Sequence, residues 1–479
     1  MNEVGYVLNI RDYLITLDGL PTVRINDLIE TQSHVRAVIS ALLPDRVEAW
    51  ILDEGTVSPG QLFKKTNTKL NITVGDFLLG RAINPIGIPI DGKGILSKTR
   101  GQVLSLDQNA PPIIKRQFIN TQLITGMTLI DTLIPLGKGQ RQLLLGDPHS
   151  GKTPFIIDLL VNQSRLGTVC VYTAIGKPIT AVRNIIDTLN ETGAIKNTAI
   201  VAASSTESPP LIFYTPYVGF TVAEYFQRQG KDVLIILDDL GTHAQVYREL
   251  SLLGGRSPGK ESYPGDIFHT HAKLMERAGN FNKAGGGGSI TALPVMELSE
   301  NDITGFIPTN LMAMTDGHLV FTSALFAQGF RPAADSAASI SRVGRQTQPR
   351  LQNLLSQAMK QILAEASGLE TVSRFSGELP KQTRATLNQK EIINEICKQE
   401  PLSLIPPEIQ IILLGLIFTS FLSNQNVYFL QKNKLKILEF LLKESKVKAF
   451  ARSLTKLKNL DQLIAKLEII VPKLKEICK

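Results

Sequence analysis

Apolar positions are arranged in three successive ways along the chain. Up to about residue 70, short β-rich runs such as Tyr6-Val7-Leu8-Asn9-Ile10 and Ala49-Trp50-Ile51-Leu52 alternate with turn signals at Asp18-Gly19, Asp53-Glu54-Gly55 and Pro59-Gly60. Closely spaced strands of this kind predict a small barrel. From 71 to 348 the runs become continuously apolar: Leu143-Leu144-Leu145, Val169-Cys170-Val171-Tyr172, Ala199-Ile200-Val201 and Val233-Leu234-Ile235-Ile236-Leu237, with longer helical stretches between them. Strands apolar on both faces and separated by helices belong to a parallel sheet covered on both sides. Beyond 349 the pattern turns helical, as in Leu354-Leu355-Ser356-Gln357-Ala358-Met359-Lys360-Gln361-Ile362-Leu363. The expected fold is multidomain α/β: a small barrel over 1–70, an α/β domain with a mainly parallel sheet over 71–348, and a helical bundle over 349–479.

Candidate chemistry sits where two of these apolar runs end. Leu143-Leu144-Leu145 leads into Gly146-Asp147-Pro148-His149-Ser150-Gly151-Lys152-Thr153, which fits G-x-x-x-x-G-K-[ST] and makes 71–348 the expected P-loop NTPase domain. A loop with glycine at both ends can wrap backbone N–H groups around a phosphate, and the following helix N-terminus adds a favourable dipole. Lys152 is then expected on the β/γ-phosphates of ATP or ADP, and the Thr153 hydroxyl on Mg²⁺. The run Val233 to Leu237 ends in Asp238-Asp239, where a carboxylate meets that ion through its water shell, with Asp238 favoured. An Asp at this point is also a good helix cap, so each of the two carries both readings.

Charge and cysteine content add limits. Residues 431 to 479 hold 13 Lys/Arg against 5 Asp/Glu, so the net charge of +8 belongs to this tail. It reads either as a solvated helix face or as a contact for an acidic partner or membrane surface. Cys170, Cys397 and Cys478 are widely separated, without metal-ligand spacing or a disulfide framework. The N-terminus shows no signal-peptide pattern, and the best apolar run, residues 411 to 419, is far short of the ~20 residues that span a bilayer. The barrel region lacks the basic stripe interleaved with aromatics that nucleic-acid binding requires.

The segment from Thr125-Gly126-Met127 through Leu136-Gly137-Lys138-Gly139-Gln140-Arg141 resembles the approach to the P-loop in rotary ATPases and in the Rho helicase. Tyr247-Arg248-Glu249-Leu250, Ser257-Pro258-Gly259-Lys260-Glu261-Ser262-Tyr263-Pro264-Gly265-Asp266, Gly288-Ser289-Ile290-Thr291-Ala292-Leu293-Pro294 and Ser341-Arg342-Val343-Gly344 narrow this to a resemblance to F-type alpha subunits. The resemblance implies a ring of alternating alpha and beta subunits around a gamma shaft, with a delta subunit on the peripheral stalk. It also implies a peripheral place on the cytoplasmic face of a bacterial membrane or its organellar equivalent, and Arg342 meeting the γ-phosphate held by a neighbouring beta subunit. Gln399, in Lys398-Gln399-Glu400-Pro401, matches the family's adenine-side segment.

Several residues depart from that pattern. Catalytic members carry Glu after the glycine that ends the next core strand, and alpha subunits usually carry Gln; here Val171-Tyr172-Thr173-Ala174-Ile175-Gly176 is followed by Lys177. A lysine cannot accept the proton of an attacking water at neutral pH. Pro148-His149 replaces Arg-Gln, Pro154 removes an N–H from the phosphate side, and Pro401 replaces a second Gln, so weakened nucleotide binding is expected. The chain opens almost at the barrel, which implies a reduced N-terminal contact with the stalk. Self-sufficient homohexameric ATPases of the secretion or Rho type are the alternative, with Lys177 the main objection.

Overall fold

The computed structural model describes residues 3–97, 100–300, 302–373, 380–423, 425–443 and 450–478, apart from 452, 455, 456 and 458. The side chains of residues 370 to 373 also lie outside the description, as does part of the basic tail. The chain forms two compact units: Met1–Phe118, Lys138–Pro148 and Gln163–His318 make the first, and Ile119–Gly137, His149–Asn162 and Leu319–Lys479 the second.

The first unit begins with a closed barrel. Its six strands run in the order Val4–Arg11, Leu14–Gly19, Val47–Ile51, Arg36–Leu42, Asp27–Glu30 and Leu62–Lys69, all antiparallel, with the last pairing back to the first. Closure removes the free edges that such short strands would otherwise expose. Val7, Ile15, Leu17, Ile29, Ala37, Ile39, Ala49 and Phe63 fill the interior. Trp50 faces the other way, into the larger core of the unit, where it meets Phe213 edge-on with ring centroids 5.3 Å apart.

That larger core surrounds a parallel sheet. Leu143–Gly146, Ser289–Glu297, Asp232–Asp238, Val169–Lys177, Thr198–Ser204 and Ala82–Ile83 lie side by side in this order, and each neighbouring pair is parallel. Leu143, Leu144, Leu145 and Val233 to Leu237 are at most 1% exposed, as continuous apolar strands demand when both faces are covered. Parallel strands bring all their C-terminal ends to one edge of the sheet, which is where open α/β sheets hold their ligands.

The second unit is mainly helical beyond residue 349. Arg350–Ser373, Lys381–Cys397, Pro407–Gly415, Val427–Lys443, Leu460–Glu468 and Val471–Ile477 are its larger helices there. Leu351, Leu355, Met359 and Ala366 form one buried face of the first of these, and Leu430, Ile437 and Leu441 that of the fourth. Gly415 allows a close helix contact, because a Cβ there would lie 2.4 Å from Leu467 Cδ1. Among the described residues, no helix is long and apolar enough to cross a membrane.

Candidate functional site

The loop after the Leu143–Gly146 strand has the backbone that its glycines foretell. His149 has φ +59° and Gly151 φ +93°, both left-handed. A Cβ on Gly151 would also lie 2.7 Å from the Phe326 ring, so only glycine fits. The helix Lys152–Arg165 starts immediately after it. Gly146 and Ser150 are buried, Asp147 is half-buried, and Pro148 and His149 are exposed. Lys152 is only 5% exposed, with Nζ 3.4 Å from Ser150 Oγ, while Thr153 is open to solvent. Pro154 falls in the first turn, where its missing N–H breaks no intrahelical bond.

In the first unit, the C-terminal edge of the sheet gathers four charged side chains. Asp238 ends its strand and Lys177 ends the neighbouring one; Lys177 Nζ lies 2.9 Å from Asp238 Oδ1, 3.6 Å from Asp239 Oδ2 and 3.4 Å from Glu297 Oε1. Tyr172 OH donates to the other oxygen of Asp238 at 2.8 Å. Asp239 is the N-cap of the helix Leu240–Leu253 and accepts from Thr242 N–H at 2.5 Å. Gly176 makes the approach of its strand end to the helix Leu240–Leu253 tolerable, because its φ is +65° and a Cβ would sit 2.7 Å from Thr242 Cγ2. Glu297 stands in register with Gly146 at the start of the phosphate-type loop.

The electrostatics of this cluster follow from burial and pairing. Burial works against the Lys177 charge, but Asp238, Asp239 and Glu297 outweigh it and hold the ammonium above the ordinary lysine range. For Asp239, burial raises the carboxyl and Lys177 only partly opposes the shift. Burial first, then the charge of Asp238, raises the Tyr172 phenol well above its usual value. A protonated lysine at this place donates hydrogen bonds and neutralises carboxylates, and it cannot act as a base.

Magnesium would require a carboxylate ready to receive its water shell. Both oxygens of Asp238 already have partners, Lys177 and Tyr172, and Asp239 is engaged as a helix cap. Among the described residues, no group of three His, Cys, Asp or Glu side chains is arranged to hold a metal ion. The acidic side of the expected metal site therefore does not fit a divalent cation, whereas the exposed hydroxyl of Thr153 is compatible with one.

Lys152, Thr153, Gln399 and Arg342 all lie in the second unit. Gln399 is 8% exposed, and its side-chain amide is fully engaged there: Oε1 accepts from Thr128 N–H at 2.6 Å, and Nε2 donates to Gly126 O at 2.9 Å and Ser403 O at 2.7 Å. Arg342 is exposed and, among the described residues, forms no ion pair. Its neighbours are anchored: Ser341 Oγ donates to Pro135 O at 2.7 Å, and a Cβ on Gly344 would overlap that carbonyl at 1.6 Å.

Sequence reasoning did not single out Glu297, Tyr172 or Asp131. Glu297 had a readable signal, because it ends an apolar strand as Asp238 does. Asp131 did not: it is buried and takes four hydrogen bonds, from Thr125 N–H and Oγ1, Gly126 N–H and Gln410 Nε2, and the last partner lies 279 residues away.

The chain matches a family model described as the nucleotide-binding domain of the ATP synthase alpha/beta family over residues 126–341, and one described as the C terminal domain of the ATP synthase alpha/beta chain over 348–474. The ATP synthase subunit alpha of Caldanaerobacter subterraneus subsp. tengcongensis is 38% identical over 440 residues, which is 92% of this chain and 87% of that one. The same subunit of Clostridium botulinum strain Eklund 17B is 36% identical over 477 residues, covering 99% and 94%. With family models over both the central and C-terminal regions and such identity along nearly the full length of both chains, this protein belongs to the ATP synthase alpha/beta family, with relatives that are alpha subunits.

Proposed function

We infer that this chain is a non-catalytic, nucleotide-binding alpha subunit of an F-type ATP synthase, which builds an alternating ring with beta subunits around a gamma shaft. One observation carries the reading: a lysine, paired with Asp238, Asp239 and Glu297, stands where a catalytic subunit holds its proton-accepting glutamate. The same pairing speaks against a self-sufficient homohexameric ATPase. ATP or ADP is assigned to the loop from Gly146 through Asp147, Pro148, His149, Ser150, Gly151 and Lys152 to Thr153. Any magnesium entering with the nucleotide is assigned to the phosphates and the Thr153 hydroxyl, and Asp238 serves Lys177 instead. Domain limits of 1–70, 71–348 and 349–479, attachment to a delta-type stalk subunit, and a place on the cytoplasmic face of the membrane belong to this same reading.

Arg342 is assigned to the γ-phosphate of a neighbouring beta subunit. Its exposure, on a segment anchored by Ser341 and Gly344, supports a guanidinium presented outward and not used within the chain. The test is reconstitution with beta and gamma subunits. The isolated chain should not hydrolyse ATP, and the assembled ring should. Arg342→Lys keeps the charge but loses the planar fork, so assembly should persist while turnover falls by about 10³-fold. Lys152→Ala should instead lower nucleotide occupancy of this chain and leave beta-site turnover largely intact. Robust hydrolysis by the chain alone, or full turnover with Arg342→Lys, overturns the assignment.

A further inference from the structure

A cavity walled by aromatic rings lies wholly within the first unit, between the barrel and three helices. It encloses about 420 Å³, within the range of small-molecule sites and far larger than the gaps of a close-packed interior. Trp50, which points out of the barrel, supplies one wall. Phe213, Tyr214 and Tyr217 come from the helix Pro209–Gln227, and Tyr247 from Leu240–Leu253. Phe213 is the hub of these rings, its centroid 5.3 Å from that of Trp50, 5.2 Å from Tyr214, 5.5 Å from Tyr217 and 5.1 Å from Tyr247. Rings packed in this way fix one another's orientation, so the wall is preformed.

The polar groups of the cavity are unevenly satisfied. Both oxygens of Asp107 are engaged, by Lys273 Nζ at 2.8 Å and Lys69 Nζ at 3.1 Å, and Asp266 accepts from Tyr247 OH at 2.8 Å. Arg256 differs: among the described residues it pairs with no carboxylate, and its guanidinium reaches only Ser40 O, at 3.3 Å. The phenols of Tyr214 and Tyr217 have no hydrogen-bond partner among the described residues either, and burial keeps both protonated, so they too have a proton to donate. Donors without acceptors around an aromatic void suit a ligand with an aromatic body and a negatively charged end.

We propose that this cavity binds a two-ring aromatic carboxylate, with its rings against Trp50, Phe213 and Tyr214 and its carboxylate on Arg256. None of the lining residues belongs to the phosphate-type loop or to the Lys177 cluster, so this is a second site. The guanidinium fork matches a carboxylate in two parallel hydrogen bonds, and a wall of low polarity strengthens them. A neutral molecule of the same shape gains the ring contacts and loses the charge-assisted bonds. An organic cation would meet this guanidinium and two carboxylates that are already engaged.

Trp50 is the only tryptophan of the chain, so its emission reports occupancy. Biphenyl-4-carboxylate titrated into the full-length chain should bind at a single site by calorimetry and change Trp50 emission with the same midpoint. The neutral biphenyl-4-carboxamide should bind about tenfold more weakly. Arg256→Gln should lower affinity for the carboxylate about tenfold and leave that for the amide within about twofold. Because the comparison of acid with amide uses the wild-type chain, a folding defect in the variant cannot imitate it. Absence of a Trp50 response, equal affinity for acid and amide, or an unchanged carboxylate affinity in Arg256→Gln overturns the proposal.

Discussion

Gln399 shows how a single side chain can carry a family motif and still do local work. Its amide bridges Thr128 N–H, Gly126 O and Ser403 O, so it ties the start of the helix Thr128–Leu133 to the turn that follows the helix Lys381–Cys397. The bonds to Thr128 and Gly126 are buried and that to Ser403 half-buried; removing the amide leaves Thr128 N–H and Ser403 O without this partner, while Gly126 O keeps the N–H of Ile405. Gln399→Ala should therefore lower stability by about 1–3 kcal/mol, read from denaturant midpoints. Nucleotide affinity should change much less, because the amide has no face turned to a ligand. A large loss of affinity at unchanged stability would restore the adenine-side role.

One pair of helices and one single helix set expectations of a different kind. The helix Leu240–Leu253 meets Ile267–Met275 through buried His243 and His271, whose Nδ1 and Nε2 lie 3.1 Å apart, and His243 Nε2 also lies 3.1 Å from Phe213 O. Burial lowers His243 from 6.5 to about 4, and burial plus its neighbour lowers His271 well below its usual value. Below pH 6.5 the unfolded chain takes up protons that the folded chain refuses, so stability present above that pH is lost as pH falls towards about 4. Denaturant unfolding across this range should show the decline, and His243→Gln should flatten it even where it lowers stability at neutral pH. At the Lys152–Arg165 helix, Pro154 costs nothing in folding but withholds an N–H from the phosphate side. Pro154→Ala should tighten ATP binding by about 1 kcal/mol, and equal or weaker affinity by calorimetry would dismiss the missing donor as a cause.

Across the whole molecule the uneven charge has a measurable consequence. Not all of the tail's lysines are available: Lys434 donates to the carbonyls of Glu395 and Lys398 and pairs with the Glu395 carboxylate. Lys432, Lys436 and Lys443 are exposed on the helix Val427–Lys443. Replacing these three by Gln should weaken assembly with the shaft and ring at low salt, and the deficit should shrink as salt screens the contact. Indistinguishable assembly at low salt would leave only a solvated helix face.

The barrel, the parallel sheet and the helical region were legible in the sequence, because periodicity records which faces of an element meet apolar neighbours. Short, closely spaced apolar runs became the strands of the barrel, and continuously apolar runs became the buried strands of the sheet. The phosphate-type loop was equally legible, since left-handed backbone at Gly151 and a helix starting at Lys152 are local requirements with local residue signatures. Partnership between distant side chains was not. Lys177 was readable as the absence of a base, but its bond to Asp238 depends on two strands, 61 positions apart, ending at one sheet edge. The pairing of Asp131 with Gln410 and the engagement of Gln399 likewise arise only when segments far apart in sequence are packed together. Local pattern thus determined which elements form and where a phosphate loop lies, whereas tertiary structure alone decided which carboxylates are already satisfied, because desolvation and ion pairing act through space and leave no period in the sequence.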